Sequence, residues 1–123
     1  MIRVLVVDDH DLFRTGLASL LSATDGIQVV GQASGGRMGV RLALELLPDV
    51  VLMDVRMPDL SGPEATAQIL EHRPEIRVLA LTVTSAESAV ETVLRAGACG
   101  FLAKDTPVDS LAAAIQAAAS GAA

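Results

Sequence analysis

Three aspartates of this 123-residue chain each follow a short apolar run. Asp8 and Asp9 come directly after residues 4–7, and Asp54 comes directly after residues 50–53. Both runs are largely β-branched and predict strands of a parallel sheet, in which the carboxyl ends of the strands face a common crevice. Carboxylate oxygens without nitrogen or sulfur ligands suit Mg²⁺. The sequence therefore predicts a magnesium site where the three side chains meet.

Two further polar residues close apolar runs of the same kind. Lys104 follows residues 101–103, and Thr82 follows residues 78–81. An ammonium group and a hydroxyl beside a bound cation are suited to a phosphoryl group. Taken alone, each residue has a simpler explanation, since most lysines are solvated surface charges and threonine is a common strand residue. The combination of four strand ends favours the functional interpretation.

Composition limits the classes of function. Fifteen Asp and Glu residues oppose nine Lys and Arg residues, and the resulting charge of −6 argues against nucleic-acid binding by this segment itself. The single cysteine, Cys99, cannot form an internal disulfide, which predicts a reducing compartment. The apolar runs are much shorter than a membrane span or the core of a signal peptide. A cytoplasmic protein without a membrane contact is expected.

Strand-like and helical patterns alternate along the chain. Helical periodicity lies between the apolar runs, and this alternation predicts an α/β fold built from βαβ units. The predicted strands lie near residues 2–7, 27–33, 49–53, 76–81 and 99–103.

Apolar stripes predict the buried side of each helix. The first stripe consists of Phe13, Leu17, Leu20 and Leu21, and the later ones include Met38, Leu42 and Leu46; Ala65, Ile69 and Leu70; Val90, Val93 and Leu94; and Leu111 and Ile115. Thr106 is predicted to cap the last helix, with Pro107 in its first position and Asp109 in its first turn.

Four separated motifs give the chain a family resemblance. Residues 6–10, 53–58, 81–82 and 96–104 resemble the signatures of two-component response-regulator receiver domains. Residues 8–10 and 12–14, together with Lys104-Asp105, resemble the NarL/FixJ (LuxR-type) subgroup. This resemblance implies a flavodoxin-like fold, a doubly wound five-stranded parallel sheet of order 2-1-3-4-5 with five helices. The receiver domain is expected to span residues 1–119. Residues 120–123 are expected to form a frayed tail or the start of a linker to an effector domain.

The resemblance also implies a phosphorylation switch. Asp54 would accept a phosphoryl group from a sensor histidine kinase, and Lys104 would bind that group. Mg²⁺ would be held by Asp9, Asp54 and the main-chain carbonyl of Arg56, with Asp8 acting through a water molecule. Chemistry would be confined to self-phosphorylation and self-dephosphorylation, so the chain would not be a metabolic enzyme.

The resemblance also implies which residues respond to phosphorylation and which residues set the lifetime of the phosphorylated state. Thr82 would donate a hydrogen bond to the phosphoryl group, and Phe101 matches the switch aromatic of the family. Because Phe101 has no hydroxyl, it would respond by packing alone. Arg56, Val83 and Thr84 occupy positions that tune the lifetime of the phosphorylated state.

Two partners are expected besides the kinase. One is a second copy of the chain, which would bind after phosphorylation. The other is DNA, which would be bound through a C-terminal helix-turn-helix domain outside this sequence.

Two alternatives remain open. One is a receiver that works unphosphorylated as a dimerisation or protein-binding module, a possibility raised by Val83. The other is a phosphatase of the haloacid-dehalogenase type, which needs an aspartate two residues after its nucleophile, where Arg56 and His10 stand instead.

Overall fold

The computed structural model of the chain describes residues 1–83 and 87–121. Within these ranges, five strands alternate with five helices. In chain order they are β1 (Ile2–Val7), α1 (Asp11–Ser22), β2 (Ile27–Ala33), α2 (Gly36–Leu46), β3 (Val50–Asp54), α3 (Gly62–His72), β4 (Arg77–Thr82), α4 (Glu87–Arg95), β5 (Gly100–Ala103) and α5 (Val108–Ala119). The predicted strands are confirmed to within about one residue at each end, as boundaries of this kind allow.

The strands form one parallel sheet in the order β2-β1-β3-β4-β5, and the predicted doubly wound order is confirmed. Register decides which strand ends lie side by side. Val7 pairs with Met53, and Thr82 pairs with Ala103. The residues that follow or end these strands therefore share one edge of the sheet.

The sheet is covered on both faces by helices. On one face, alternate residues of β1 and β3 pack with helices α2, α3 and α4 through a cluster that includes Leu5, Val7, Met53, Ile69 and Val93. On the other face, the intervening strand residues pack with α1 and α5 through a cluster that includes Val6, Leu21, Leu52, Leu111 and Ile115. Each fully buried aliphatic side chain contributes about 1.5–3 kcal/mol, so burial on both faces stabilises the central strands.

The predicted helix stripes are partly wrong. Leu20, Met38 and Leu94 were predicted to be buried but are 56%, 38% and 40% exposed, respectively. In α1 the buried residues are Leu17, Ala18 and Leu21, so the helix faces the sheet through an arc shifted towards Ala18. A small alanine lets the helix backbone approach the strands, and Leu20 consequently falls outside the contact.

The predicted cap of the last helix is also wrong. The N-cap position of α5 is Pro107, whose ψ of 147° is not helical, and no side chain caps the helix. Thr106 lies one residue too early and instead donates its backbone N–H to the carbonyl of Ala103 in a turn. Asp109 lies in the first turn as predicted.

Two other helix boundaries are set by the local sequence. Helix α3 begins at Gly62, where the side chain of Ser61 accepts a hydrogen bond from the backbone N–H of Glu64. Gly97 follows the end of α4 with a φ of 113°, a left-handed conformation that favours glycine.

Candidate functional site

The three predicted carboxylates lie together at the carboxyl edge of the sheet. Asp8 and Asp9 directly follow β1, and Asp54 is the last residue of the neighbouring strand β3. The side chain of Asp8 is fully buried, Asp54 is 4% exposed and Asp9 is partly buried. One oxygen of each carboxylate and a ring nitrogen of His10 all lie within 4.8 Å of one another. Four potential ligand atoms are thus brought within reach of a single ion.

His10 also belongs to this cluster. Its backbone N–H donates a hydrogen bond of 2.8 Å to Oδ1 of Asp8. Its ring Nδ1 lies 3.2 Å from the same oxygen and 3.5 Å from Oδ1 of Asp9, while the side chain is 67% exposed. The backbone contact orients the buried Asp8 carboxylate, and the ring lies at the solvent side of the cluster.

Lys104 supplies the positive charge of the site. Its Nζ lies 2.7 Å from Oδ2 of Asp8 and 3.3 Å from Oδ1 of Asp54, and its side chain is only 10% exposed. The backbone N–H of Lys104 donates to the carbonyl of Thr82, which continues the pairing of β4 with β5. The ring of Phe13 lies 5.0 Å from Nζ. Lys104 is therefore held by the sheet on one side and by an aromatic face on the other.

Burial and charge raise the pKa of Asp54 from 3.8 to about 6. The largest cause is desolvation of the carboxylate, and the negative charge of Asp8 adds to it, while the positive charge of Lys104 opposes both. Within the described ranges, Asp9 Oδ1 and Asp54 Oδ2 are buried and make no directed hydrogen bond, whereas Asp8 Oδ2 has the ammonium group of Lys104 at 2.7 Å. Buried carboxylate oxygens of this kind are costly without a cation, so the donor set fits a hard divalent ion.

Thr82 lies on β4, the neighbour of β3, and Phe101 lies on β5, the strand beyond β4. Thr82 ends β4 and is buried, and the residue before it pairs with Asp54 across the sheet. Phe101 lies on the edge strand β5 and is 42% exposed. The two residues belong to directly paired strands, in which Thr82 pairs with Ala103 and Phe101 pairs with Ala80.

The rim of the site contains exposed residues of both apolar and charged type. Val83 is 79% exposed and Leu12 is 88% exposed, and both line an open groove of about 570 Å³ that also contacts Lys104. Arg56, two residues after Asp54, is exposed. Thr84 lies outside the described residues. The groove gives access to the ammonium group of Lys104 from solvent.

Arg14 is a positioning contact that the sequence did not reveal. Its Nη1 donates a hydrogen bond of 2.8 Å to the main-chain carbonyl of Asp8, and its Nε donates one of 3.2 Å to the side chain of Gln32 on β2. A salt bridge of 2.8 Å to Asp11 completes its contacts. The pair of Asp11 and Arg14 is visible as a helical i,i+3 spacing, but the bond to Asp8 depends on how α1 lies on the sheet.

Comparison with protein families gives one assignment for nearly the whole chain. The family profile for the response regulator receiver domain matches residues 4–116. The response regulator GacA of Pseudomonas viridiflava is 49% identical over 116 residues, which cover 94% of this chain and 54% of the relative. The transcriptional regulatory protein LiaR of Bacillus subtilis is 46% identical over 121 residues, 98% of this chain and 57% of the relative. The chain spans about half the length of the curated relatives it matches.

Solved structures agree with this assignment. The signal receiver domain assigned to NarL of Mycobacterium tuberculosis superposes with a TM-score of 0.93 at 37% identity, covering 98% of this chain and 97% of the other. A two-component response regulator of the LuxR family from Aurantimonas sp. superposes with a TM-score of 0.92 at 32% identity, covering 98% and 86%. The resemblance to the NarL/FixJ subgroup is confirmed.

The described helices are short. The longest, α1 and α5, have 12 residues each, and no helix among the described residues is long and apolar enough to cross a membrane.

Proposed function

The chain belongs to the family of response regulator receiver domains, and we propose that it acts as a Mg²⁺-dependent phosphoacceptor in which Asp54 receives a phosphoryl group from a sensor histidine kinase. The observation that carries the proposal is the position of Asp54. It ends the central strand β3, is almost fully buried, and lies 3.3 Å from the ammonium group of Lys104. Family membership leaves no support for the phosphatase alternative.

The proposed reaction transfers a phosphoryl group between two side chains. A carboxylate oxygen of Asp54 bonds to phosphorus, and the N–P bond of the kinase phosphohistidine breaks with its electron pair left on nitrogen. The imidazole then takes up a proton from solvent. The attacking carboxylate has to be ionised, which a pKa of about 6 allows at neutral pH. The charge of Lys104 stabilises the phosphoryl oxygens as they approach.

In this proposal, Asp9, Asp54 and the main-chain carbonyl of Arg56 hold Mg²⁺, and Asp8 acts through a water molecule. When bound, the cation neutralises negative charge shared between the carboxylates and the phosphoryl oxygens. The buried Oδ1 of Asp9 and Oδ2 of Asp54, which make no directed hydrogen bond among the described residues, support this assignment.

We further propose that Thr82 and Phe101 carry the response. Thr82 donates a hydrogen bond to the phosphoryl group and draws the end of β4 inward. Phe101 is 42% exposed, so an inward movement of its ring removes apolar surface from water. The shape change is therefore reported by packing.

Arg56, Val83 and Thr84 are proposed to set the lifetime of the phosphorylated state. Val83 and Arg56 are both exposed beside the acceptor, where a side chain affects how water reaches the aspartyl phosphate. The decay rate of the phosphorylated form should differ between Arg56→Ala and the parent. Indistinguishable decay removes Arg56 from this role.

Intact-protein mass spectrometry tests the proposed function. The parent, incubated with acetyl phosphate and Mg²⁺, should gain one phosphoryl group, and the Asp54→Asn variant should gain none. Asp49→Asn is a suitable control because it changes an exposed aspartate immediately before β3. An adduct that persists in Asp54→Asn contradicts the assignment of the acceptor. If neither acetyl phosphate nor a kinase gives an adduct, the unphosphorylated dimerisation or protein-binding module becomes the better account.

The role of the complete protein is also a proposal. Relatives named as transcriptional regulators are about twice as long as the matched region, which supports a DNA-binding effector domain outside this sequence. We propose residues 1–119 as the receiver unit and residues 120–123 as a tail or linker start, of which residues 122 and 123 lie outside the described residues. We also propose that the protein forms a homodimer after phosphorylation and that it is located in the cytoplasm.

A further inference from the structure

Asp59 caps a helix that lies 23 residues earlier in the chain. Helix α2 begins after Gly35, which has no side chain to satisfy the free N–H groups of the first turn. Oδ1 of Asp59 lies 3.0 Å from the backbone nitrogen of Gly36, and Oδ2 lies 3.1 Å from that of Arg37. Both carboxylate oxygens therefore accept hydrogen bonds from the helix start, where the helix dipole favours negative charge.

The start of α2 lies so close to Asp59 and Leu60 that neither Gly35 nor Gly36 has room for a side chain. A Cβ at Gly36 would lie 2.3 Å from the carbonyl oxygen of Leu60, and a Cβ at Gly35 would lie 2.9 Å from Oδ1 of Asp59. Two consecutive glycines thus let the start of α2 rest directly on the backbone of the β3–α3 loop, residues 55–61. The hydrogen bonds of Asp59 fasten this contact.

The β3–α3 loop directly follows the strand that ends with Asp54, and backbone hydrogen bonds hold both ends of the loop. The backbone N–H of Val55 donates to the carbonyl of Leu81, and that of Gly62 donates to the carbonyl of Val55. Val55 and Met57 are 8% exposed and pack into the core, whereas Arg56 between them is exposed. The outer half of the loop is held to α2 through Asp59.

From these contacts we infer that Asp59 is a positioning residue for the cation site. By capping α2 from the β3–α3 loop, it holds in place the backbone segment that carries Arg56. The inference rests on the proposed function, in which the main-chain carbonyl of Arg56 is a ligand. Asp59 does not touch the cluster itself, so its effect on cation binding passes through the loop.

The lowered pKa of Asp59 is consistent with this cap. The backbone N–H groups of Arg37 and Gly36 stabilise the ionised carboxylate and hold its pKa below the ordinary value of 3.8. Asp59 is therefore charged across the neutral range.

Isothermal titration calorimetry with Mg²⁺ alone tests the inference. Asp59→Ala should weaken Mg²⁺ binding by about tenfold, as expected when the support of a ligand is removed. Asp59→Asn should recover most of the affinity, because Asn and Asp rank together as helix caps. Gly36→Ala, which changes no charge, should weaken binding in the same direction. Gly16→Ala is its matched control because a Cβ there meets nothing within 4 Å.

Asp105→Ala controls for the loss of one surface carboxylate. Asp105 is exposed next to Lys104 and caps no helix in the described residues, so its removal should change Mg²⁺ affinity by less than about twofold. A fall in thermal stability of Asp59→Ala with unchanged affinity would show a structural role only. That result overturns the inference.

The backbone amide signals of Gly36 and Arg37 provide a second measurement in ¹⁵N NMR spectra. Both signals should move when Asp59 is replaced by Ala, and in the parent they should move again on addition of Mg²⁺. If the parent binds no Mg²⁺, the proposed function and the inference fail together. If the parent binds and Asp59→Ala binds equally well, the inference alone fails.

Discussion

Nζ of Lys104 lies 2.7 Å from Oδ2 of Asp8, closer than the 3.3 Å that separates it from Oδ1 of Asp54. Lys104 is thus first of all the counter-ion of the most deeply buried carboxylate. Asp54 shares this charge at a longer distance, and its pKa is accordingly raised to about 6 by burial and by the charge of Asp8. Asp54, the proposed acceptor, is left as the less stabilised anion of the pair, which suits a group that has to form a bond to phosphorus.

The raised pKa of Asp54 predicts the pH dependence of stability. Below about pH 4 the residue is protonated in both the folded and the unfolded state. Between about pH 4 and pH 6 the unfolded state ionises first, so stability is lost as pH rises. Asp54→Asn should therefore stabilise the metal-free protein at pH 7.5 by on the order of 2 to 3 kcal/mol and have no advantage at pH 3.5.

Urea unfolding followed by far-ultraviolet circular dichroism measures this effect, since the chain contains neither Trp nor Tyr for fluorescence. Asp25→Asn changes an exposed aspartate and should alter stability by less than about 0.5 kcal/mol at either pH. An Asp54→Asn variant that is no more stable than the parent at pH 7.5 contradicts the raised pKa.

Removal of the ammonium group should have the opposite effect. Lys104→Met leaves Asp8 and Asp54 buried without their cation, and loss of one partner from a buried pair costs about 3 kcal/mol or more. The deficit should be smaller at pH 5, where protonation of Asp54 relieves the repulsion. Addition of Asp54→Asn to Lys104→Met should recover part of the lost stability.

Arg95→Met is the matched control, because it removes an exposed cation from α4. Lys104 is also the single lysine of the chain, so selective ¹³C labelling of lysine gives one signal that reports on it. That signal should shift when Asp54 titrates near pH 6. A Lys104→Met deficit that is equal at pH 5 and pH 7.5 would contradict the electrostatic explanation.

Mg²⁺ should stabilise the folded state by binding the acidic cluster. At a concentration of about ten times Kd, the expected gain is about 1.4 kcal/mol, which raises Tm by roughly 3–6 °C. Asp9→Asn removes one proposed ligand and should abolish most of the shift. A parent Tm that does not respond to millimolar Mg²⁺, measured by calorimetry, counts against the metal site.

Gly62 should tolerate no side chain. A Cβ at this position would lie 2.2 Å from the carbonyl oxygen of Asp54 and 2.8 Å from Cα of Val55. Because both atoms belong to backbone, Gly62→Ala should cost at least about 2 kcal/mol, in the range of severe overpacking. Gly16→Ala in α1 should instead gain up to about 1 kcal/mol from helix propensity. Equal stabilities of the two variants would show that α3 moves freely relative to β3.

Much of the fold was predictable because its signals are local. Each strand appears as a compact apolar run, and Asp8, Asp54, Thr82 and Lys104 lie where such runs end. In a parallel sheet these ends share one edge, so chain order and strand direction sufficed to bring the residues together. The roles of Arg56, Val83, Thr84 and Phe101 rest on the family resemblance and stay predictions.

The errors of sequence interpretation concern relationships between elements. Periodicity placed Leu20 in a buried stripe, but the rotation of α1 towards Ala18 leaves it 56% exposed. Thr106 has the residue type of a helix cap, yet the backbone of Pro107 starts the helix one residue later. Both outcomes depend on how a helix is seated on the sheet, which local pattern does not encode.

The sequence by itself determined the alternation of strands and helices, the chemical types at the strand ends and hence the class of site, because each of these follows from residues near one another in the chain. Only the tertiary structure decided that Lys104 pairs most closely with Asp8, that Arg14 holds the carbonyl of Asp8, and that Asp59 caps a helix 23 residues away. The physical reason is that hydrogen bonds and ion pairs require distances near 3 Å, and such distances between remote residues are set by the packing of whole elements.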